Sequence, residues 1–268
     1  MTKLCPQPLT PQEGTAFLKK YGVKCANDND VNKFLQTESL IRFVGYARVF
    51  KDKDFESLKK IYYLDSELRN IFMSAIERVE VQLRNFLVAA LSTAQNDPLG
   101  HRKPVNFQNK EKQSRWLSIV DKKISASEDD LIGHYRKIEN FPQVPAWVAV
   151  EVLSFDMLAA CFDNLSVLNK AQVSRSFGVN GNTLSNWLDS LTFIRNKCAH
   201  QNQILGKRLP KPVKTDNLQL PQEIDEQNPL AVLYLLEKLL SNIPVNIDFI
   251  EIWKLRTSNI LPQIQNHS

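Results

Sequence analysis

Residues 54–94, DFESLKKIYYLDSELRNIFMSAIERVEVQLRNFLVAALSTA, carry Leu64, Leu68, Ile71, Phe72, Ala75, Val79, Leu83, Phe86, Leu87 and Ala90 at spacings of three and four. That period lays the apolar side chains along one stripe of an α-helix. Glu67, Arg69, Glu77, Arg78, Glu80 and Arg84 occupy the other side. Asp54 opens the pattern and nothing breaks it, so one long helix to about Ala94 is expected as the spine of the fold.

On the N-terminal side, Thr10-Pro11-Gln12-Glu13 combines an N-cap, a proline at the first helical position and a capping-box acid. A short helix to about Tyr21, ended by Gly22, follows from it. A second helix is expected from Asn29 or Asp30 through Leu35. Ser39 to Phe50, apolar and aromatic around Gly45, fits no single pattern. On the C-terminal side, Asp97-Pro98, Gly100 and Pro104 make Asn96–Asn109 a loop, with helices then expected at 113–124 and 128–139. Phe141-Pro142-Gln143-Val144-Pro145 punctuates the chain, and Ala146 to Asn164 reads as one buried helix. Ser166 caps the next, which stops at Gly178. Gly178-Val179-Asn180-Gly181 has the spacing of a nucleic-acid clamp loop, yet as a lone match it reads as a turn. A helix from Asn182 or Thr183 then places Leu184, Trp187, Leu188, Leu191, Ile194 and Cys198 on one stripe. The polar stretch from Lys207 to Pro229, with four prolines, is a loop. Leu230–Leu240 is a compact apolar helix, and Val245–Leu255 mixes apolar and acidic residues before a polar tail. The fold class is all-α.

Composition bounds the function classes. Of 268 residues, 43% are hydrophobic and 24% charged, an ordinary globular balance. Thirty-four Lys and Arg against 29 acids leave a net charge of +5; this permits RNA as a partner without the strong bias of a dedicated nucleic-acid binder. Cys5, Cys25, Cys161 and Cys198 form no C-x-x-C pair, which points to free thiols and no zinc site. No apolar run has the length of a signal peptide or a membrane span, so a cytoplasmic location without membrane attachment is expected. No P-loop, dinucleotide fingerprint or nucleophile elbow is present.

The run that reads as chemistry is Arg195-Asn196-Lys197-Cys198-Ala199-His200. Arg195 falls at the margin of the apolar stripe, four residues after Leu191. Thr192, Asn196 and His200 form a polar line beside it. A charge at the edge of a packed face needs a partner helix, a second subunit or an anion. Cleavage of an RNA phosphodiester suits this set. The ribose 2′-hydroxyl is a built-in nucleophile, so neither metal nor cofactor is required. His200 can move protons near neutral pH, Arg195 can hold the phosphate as charge develops, and Asn196 can orient either group. Five positions apart, Arg195 and His200 stand about 140° apart on a regular helix, and a symmetric dimer through this helix would close that gap. The plainer reading is that both residues bridge helices or cap a carbonyl.

The run from Ser190 to His200 resembles the R-N-x-C-A-H signature of the Abi-like family, the abortive-infection proteins of the AbiD/AbiF type. Tyr63 to Arg69, continuing through Ala75 to Arg84, resembles that family's long acidic-basic helix. Pro145-Ala146-Trp147 with Glu151-Val152-Leu153-Ser154-Phe155 resembles its P-x-W…E-x-x-S-F segment. The blocks cover roughly residues 10–206. The resemblance implies a HEPN-like helical bundle, here expected over 54–206. An N-terminal helical segment (1–53), the Pro-containing loop (207–229) and C-terminal helices with a tail (230–268) would complete the chain. It implies RNA as substrate, no metal, dimerisation through the Arg195–His200 helix, and a role in phage defence or as the toxin of a toxin–antitoxin pair. Arg195 and His200 would be catalytic, with Asn196 supporting. Where the family often has a second histidine, an arginine and a Trp-Asn pair after the motif, this chain has Gln201, Gln203 and Leu205-Gly206. A non-catalytic RNA-binding protein that associates with a structured noncoding RNA is therefore the alternative, and a pure interaction protein a third.

Glu77, Glu80 and Arg84 admit two readings: a solvated charged face, or a cleft lining in which a part-buried carboxylate pairs with Arg195. Glu80 and Arg84 are spaced for an intrahelical ion pair. Lys197 is a further candidate for RNA contact or support. His101, His134 and His267 have no metal-ligand spacing. Trp116, Trp147, Trp187 and Trp253 read as packing aromatics.

Overall fold

The computed structural model describes residues 9–137, 143–216, 218–241 and 251. Among them the chain is all-α, with eleven α-helices, a few single 3-10 turns and two isolated β-bridges, Lys24 to Asp54 and Phe107 to Leu165. The Val245–Leu255 pattern (Glu251 apart), Cys5, Trp253, His267 and the far end of the expected 128–139 helix lie outside the described residues.

The helices are α1 (Pro11–Lys20), α2 (Asp28–Thr37), α3 (Leu40–Val49), α4 (Phe55–Leu91), α5 (Lys110–Ala126), α6 (Asp130–Arg136), α7 (Ala146–Ala149), α8 (Phe155–Asn164), α9 (Val167–Ser176), α10 (Gly181–Ala199) and α11 (Ala231–Leu240). At α1 both halves of the capping box form: the Glu13 amide donates to the Thr10 hydroxyl, and the Thr10 amide to the Glu13 carboxylate. The unassigned Ser39–Phe50 stretch is α3, capped by the Ser39 hydroxyl. Gly178, at φ 70°, ends the turn after α9, and Asn180 caps α10, so the G-x-x-G run is a helix-to-helix turn.

One expectation is corrected. Ala146–Asn164 is not a single helix but α7, a 3-10 turn at Val150–Val152, extended Leu153, and α8. The apolar run looks continuous because both pieces are buried. The break is held from outside by the Arg84 side chain, which donates from Nε to the Val150 carbonyl at 3.2 Å and from Nη2 to that of Leu153 at 2.9 Å.

Two compact units account for the chain. Among the described residues the first holds those up to Phe72 and Asn196–Arg208; the second holds Met73–Arg195 and those from Leu209 to 241. In the first unit, Phe34 meets Phe43, Phe55 and Tyr62 edge-on with ring centroids 4.9, 5.5 and 5.6 Å apart. Such pairs add about 0.5–1.5 kcal/mol each beyond their burial. Gly206, at φ 70°, lets the chain after α10 approach α3: a Cβ there would stand 2.3 Å from Val49 Cγ1.

In the second unit, Val79, Leu83 and Leu87 of α4 are fully buried, as are Leu184 and Trp187 of α10. Trp187 Nε1 donates to the Lys214 carbonyl at 2.8 Å, tying the Pro-containing loop down. Asn106 anchors the 93–106 region. It donates to the Gly100 carbonyl at 2.7 Å and accepts from the side chains of Gln95 and Asn169. No described helix is long and apolar enough to cross a membrane.

Candidate active site

The motif run lies at the C-terminal end of α10, where a helix leaves carbonyls without amide partners. Gln201 takes the left-handed conformation (φ 53°). Its amide bonds the Cys198 carbonyl at 2.9 Å, and the Asn202 amide bonds that of Lys197 at 2.8 Å. This is a Schellman closure with a glutamine where glycine is usual. His200 is the residue at which the helix ends. The Arg42 guanidinium of α3 caps the same end, donating to the carbonyls of His200 (3.3 Å) and Gln201 (3.2 Å) and to the Gln201 side-chain oxygen (2.6 Å). A cation there also suits the helix dipole.

The chain beyond is pinned by Asp65 of α4. Its carboxylate, 0% exposed, accepts from the Tyr46 hydroxyl (2.5 Å), Arg69 Nη1 (2.6 Å), and the amides of Ile204 (3.2 Å) and Leu205 (2.8 Å). Burial pushes the Asp65 carboxyl above the usual carboxylate range, while Tyr46, the Leu205 amide and Arg69 pull it back down. Burial first, then the Asp65 charge, raises the Tyr46 phenol.

The candidate residues occupy the last turns of α10. Arg195 is half-buried, Asn196 and His200 are exposed, and Lys197 is half-buried. Neither the Arg195 guanidinium nor the His200 imidazole has a hydrogen-bond or ion-pair partner among the described residues. Thr192, expected in their polar line, turns its hydroxyl back to the Leu188 carbonyl at 2.8 Å. Cys198 is buried, which pushes its thiol up to about 12 and leaves it no nucleophile at neutral pH.

On α4 the spacing of Glu80 and Arg84 gives the ion pair it predicts, at 2.5 Å. The pairing of Glu77 or Glu80 with Arg195 does not form. Glu77 is exposed, in line with Met73 and Val81 on the solvent stripe, and the cation that Glu80 finds is Arg84. Trp116 and Trp187 pack as expected; Trp147 is 43% exposed and reaches the Tyr135 hydroxyl. Of the three described cysteines none is bridged, and no cluster with metal-ligating potential occurs among the described residues.

Sequence reasoning passed over Arg42, Tyr46 and Asp65, and it set Arg69 on the polar side of α4, whereas the pairing with Asp65 holds it buried. A signal did exist at Asp65. It falls in register with buried Ile61, Leu68 and Phe72, and an acid on an apolar stripe must be paired. Arg42 had none, because its role is set by a turn more than 150 residues away.

No curated protein and no solved structure matches the chain. A family model described as "Abi-like protein" matches residues 33–205, a span that takes in α3, α4, the Pro145–Phe155 segment and the motif at the end of α10. With well over half of its length matched, the chain belongs to the Abi-like protein family.

Proposed function

We propose that this protein is a metal-independent endoribonuclease of the HEPN type, acting in phage defence by abortive infection or as the toxin of a toxin–antitoxin pair. The observation that carries the reading is the Arg195-Asn196-Lys197-Cys198-Ala199-His200 run at the end of α10, in an Abi-like chain, with a guanidinium that has no partner among the described residues and an exposed imidazole. His200 takes the proton of a ribose 2′-hydroxyl, whose oxygen bonds to the adjacent phosphorus as the bond to the 5′-oxygen breaks. Arg195 neutralises the charge on the phosphoryl oxygens, and a second protonated group returns a proton to the leaving 5′-oxygen. A homodimer through α10 supplies that group as the twin His200. Asn196 orients, and Lys197 adds positive charge.

Expression of the wild type halts growth, and purified protein leaves 2′,3′-cyclic phosphate ends in the presence of chelators. His200→Ala and Arg195→Ala each lower cleavage by about 100-fold or more while melting as the wild type does. Full toxicity in either variant refutes the assignment.

One observation favours a second reading, a non-catalytic RNA-binding protein paired with a structured noncoding RNA. Gln201 and Gln203, at positions where the family often carries basic groups, are occupied locally: Gln201 accepts from Arg42, and Gln203 donates to the Leu205 carbonyl at 2.9 Å. RNA bound without chain scission would decide for it.

A further inference from the structure

The net charge of the chain is concentrated in one place. Residues 102–126 hold seven cations (Arg102, Lys103, Lys110, Lys112, Arg115, Lys122 and Lys123) against Glu111 and Asp121, a local balance of +5. The whole chain also sums to +5, so everything outside this segment is neutral taken together. Two of the seven are spent on ion pairs, Arg102 with Asp121 and Lys103 with Asp97. The other five are exposed on α5 and have no ion-pair partner among the described residues.

α5 buries Gln113, Trp116, Val120 and Ile124 on its inner face. Its outer face borders an open groove of about 890 Å³ in which Arg102, Lys110 and Lys122 and the hydroxyls of Ser114, Ser118 and Ser125 stand beside the apolar Pro104, Leu117 and Ala126, with Asp121 the one acid. Ser114, Ser118, Lys122 and Ser125 follow at steps of four, four and three, so hydroxyl donors and an ammonium share one ridge. Lys110 to Lys122 spans about 18 Å along the helix, the reach of several phosphates. The aromatic of this helix, Trp116, is turned inward and donates to the Met157 carbonyl, so the face offers no platform on which a base could stack.

We infer that the outer face of α5 is a phosphate-backbone track for RNA, separate from the motif at the end of α10. Cations and hydroxyls without a stacking aromatic bind the polyanion and leave its sequence unread. The choice of RNA over other polyanions rests on the ribonuclease reading. The groove would hold the strand by sequence-independent, salt-sensitive contacts, and selectivity would have to come from elsewhere.

The test uses the full chain with His200→Ala, so that bound RNA stays intact, and a fluorescent uridine oligonucleotide titrated at rising potassium chloride. Lys110→Gln, Arg115→Gln and Lys122→Gln together should weaken binding about 10-fold or more. They should also flatten the log–log salt slope by about 2, at roughly 0.7 per single-strand contact. All three side chains are exposed, so the melting curve should not move. A control triple on α4 that removes the same charge, Lys59→Gln, Lys60→Gln and Arg78→Gln, should leave affinity and slope alone. Unchanged affinity in the α5 triple, an equal loss in the α4 triple, or capture by anionic phospholipid vesicles in preference to RNA overturns the proposal. Scission by the His200-intact wild type is scored separately. RNA held by α5 without scission refutes the nuclease and keeps the track; scission with α5 indifferent does the reverse.

Discussion

α4 carries the same local pattern twice, an acid followed four residues later by an arginine: Asp65–Arg69 in its first half and Glu80–Arg84 in its second. In each the side chains meet, at 2.6 and 2.5 Å. The difference lies in which partner gathers the rest of the structure. At the first pair the carboxylate is the hub, collecting two amides of the chain after α10 and the Tyr46 hydroxyl with no exposure at all. At the second the guanidinium is the hub, donating to the carbonyls at the α7–α8 break, with both side chains nearly a fifth exposed. Irregular backbone strands either amides or carbonyls, and whichever it strands selects the ion that must face it. The long helix thus pins two non-helical segments by opposite halves of one motif.

Removing the hub at the more buried pair has the largest expected effect. Asp65→Ala leaves Arg69 as an unpaired buried cation and orphans two amides and a hydroxyl, a loss of about 3–5 kcal/mol in urea denaturation. Adding Arg69→Ala should recover only part of it, because the Ile204 and Leu205 amides still lack an acceptor. Complete recovery would mean that the ion pair alone matters, and the hub account would fail. On the proposed function, disturbance here should also lower cleavage, since the segment that Asp65 holds begins two residues after the turn that follows His200.

His101 is the counter-example, a polar group buried to 1% exposure whose ring nitrogens have no partner among the described residues. Burial first, then neighbouring Arg102, lowers its pKa to about 4. The unfolded chain, near 6.5, therefore binds the proton more readily than the folded one. Stability is full above about pH 6.5 and falls as the pH drops towards 4, by up to about 3 kcal/mol across the window. His101→Leu should flatten that limb of a pH–stability curve. An unaltered slope would place the acid sensitivity on other groups.

The second hub costs less to remove. Arg84→Ala strands carbonyls, which tolerate under-satisfaction better than amides, and leaves Glu80 within reach of water. A loss of about 2 kcal/mol is expected, and Glu80→Gln alone should cost under about 1 kcal/mol. If Arg84→Ala equals Asp65→Ala, the asymmetry between the two pins is not real.

These pins also mark the limit of what the sequence discloses. The 3.6-residue period of α4, the Thr10 capping box and the Gly178 stop are written in contiguous residues, and each appears where its pattern puts it. The α7–α8 break has no glycine or proline in its own segment to mark it: Ala146–Asn164 is mostly apolar, and what holds the break open is an arginine from α4. At the site, the motif residues are legible because they are contiguous. The Arg42 cap joins positions far apart in the chain and has no local spacing to betray it. Glu77 could be read either way, since an acid beside an apolar stripe is buried or solvated according to a rotation of a few tens of degrees.

The smallest effect concerns the turn beside His200. Gln201 holds a left-handed conformation that strains any residue with a Cβ, and its side chain accepts from Arg42. Replacement by glycine relieves the strain but forfeits that hydrogen bond, so the wild-type comparison mixes two terms. Gln201→Ala and Gln201→Gly both lack the amide and differ only in backbone freedom, and the glycine variant should be the more stable by about 1 kcal/mol. Should the two melt together, the turn is not strained in solution, and the position of His200 is set by Arg42 and Asp65 rather than by the Schellman closure.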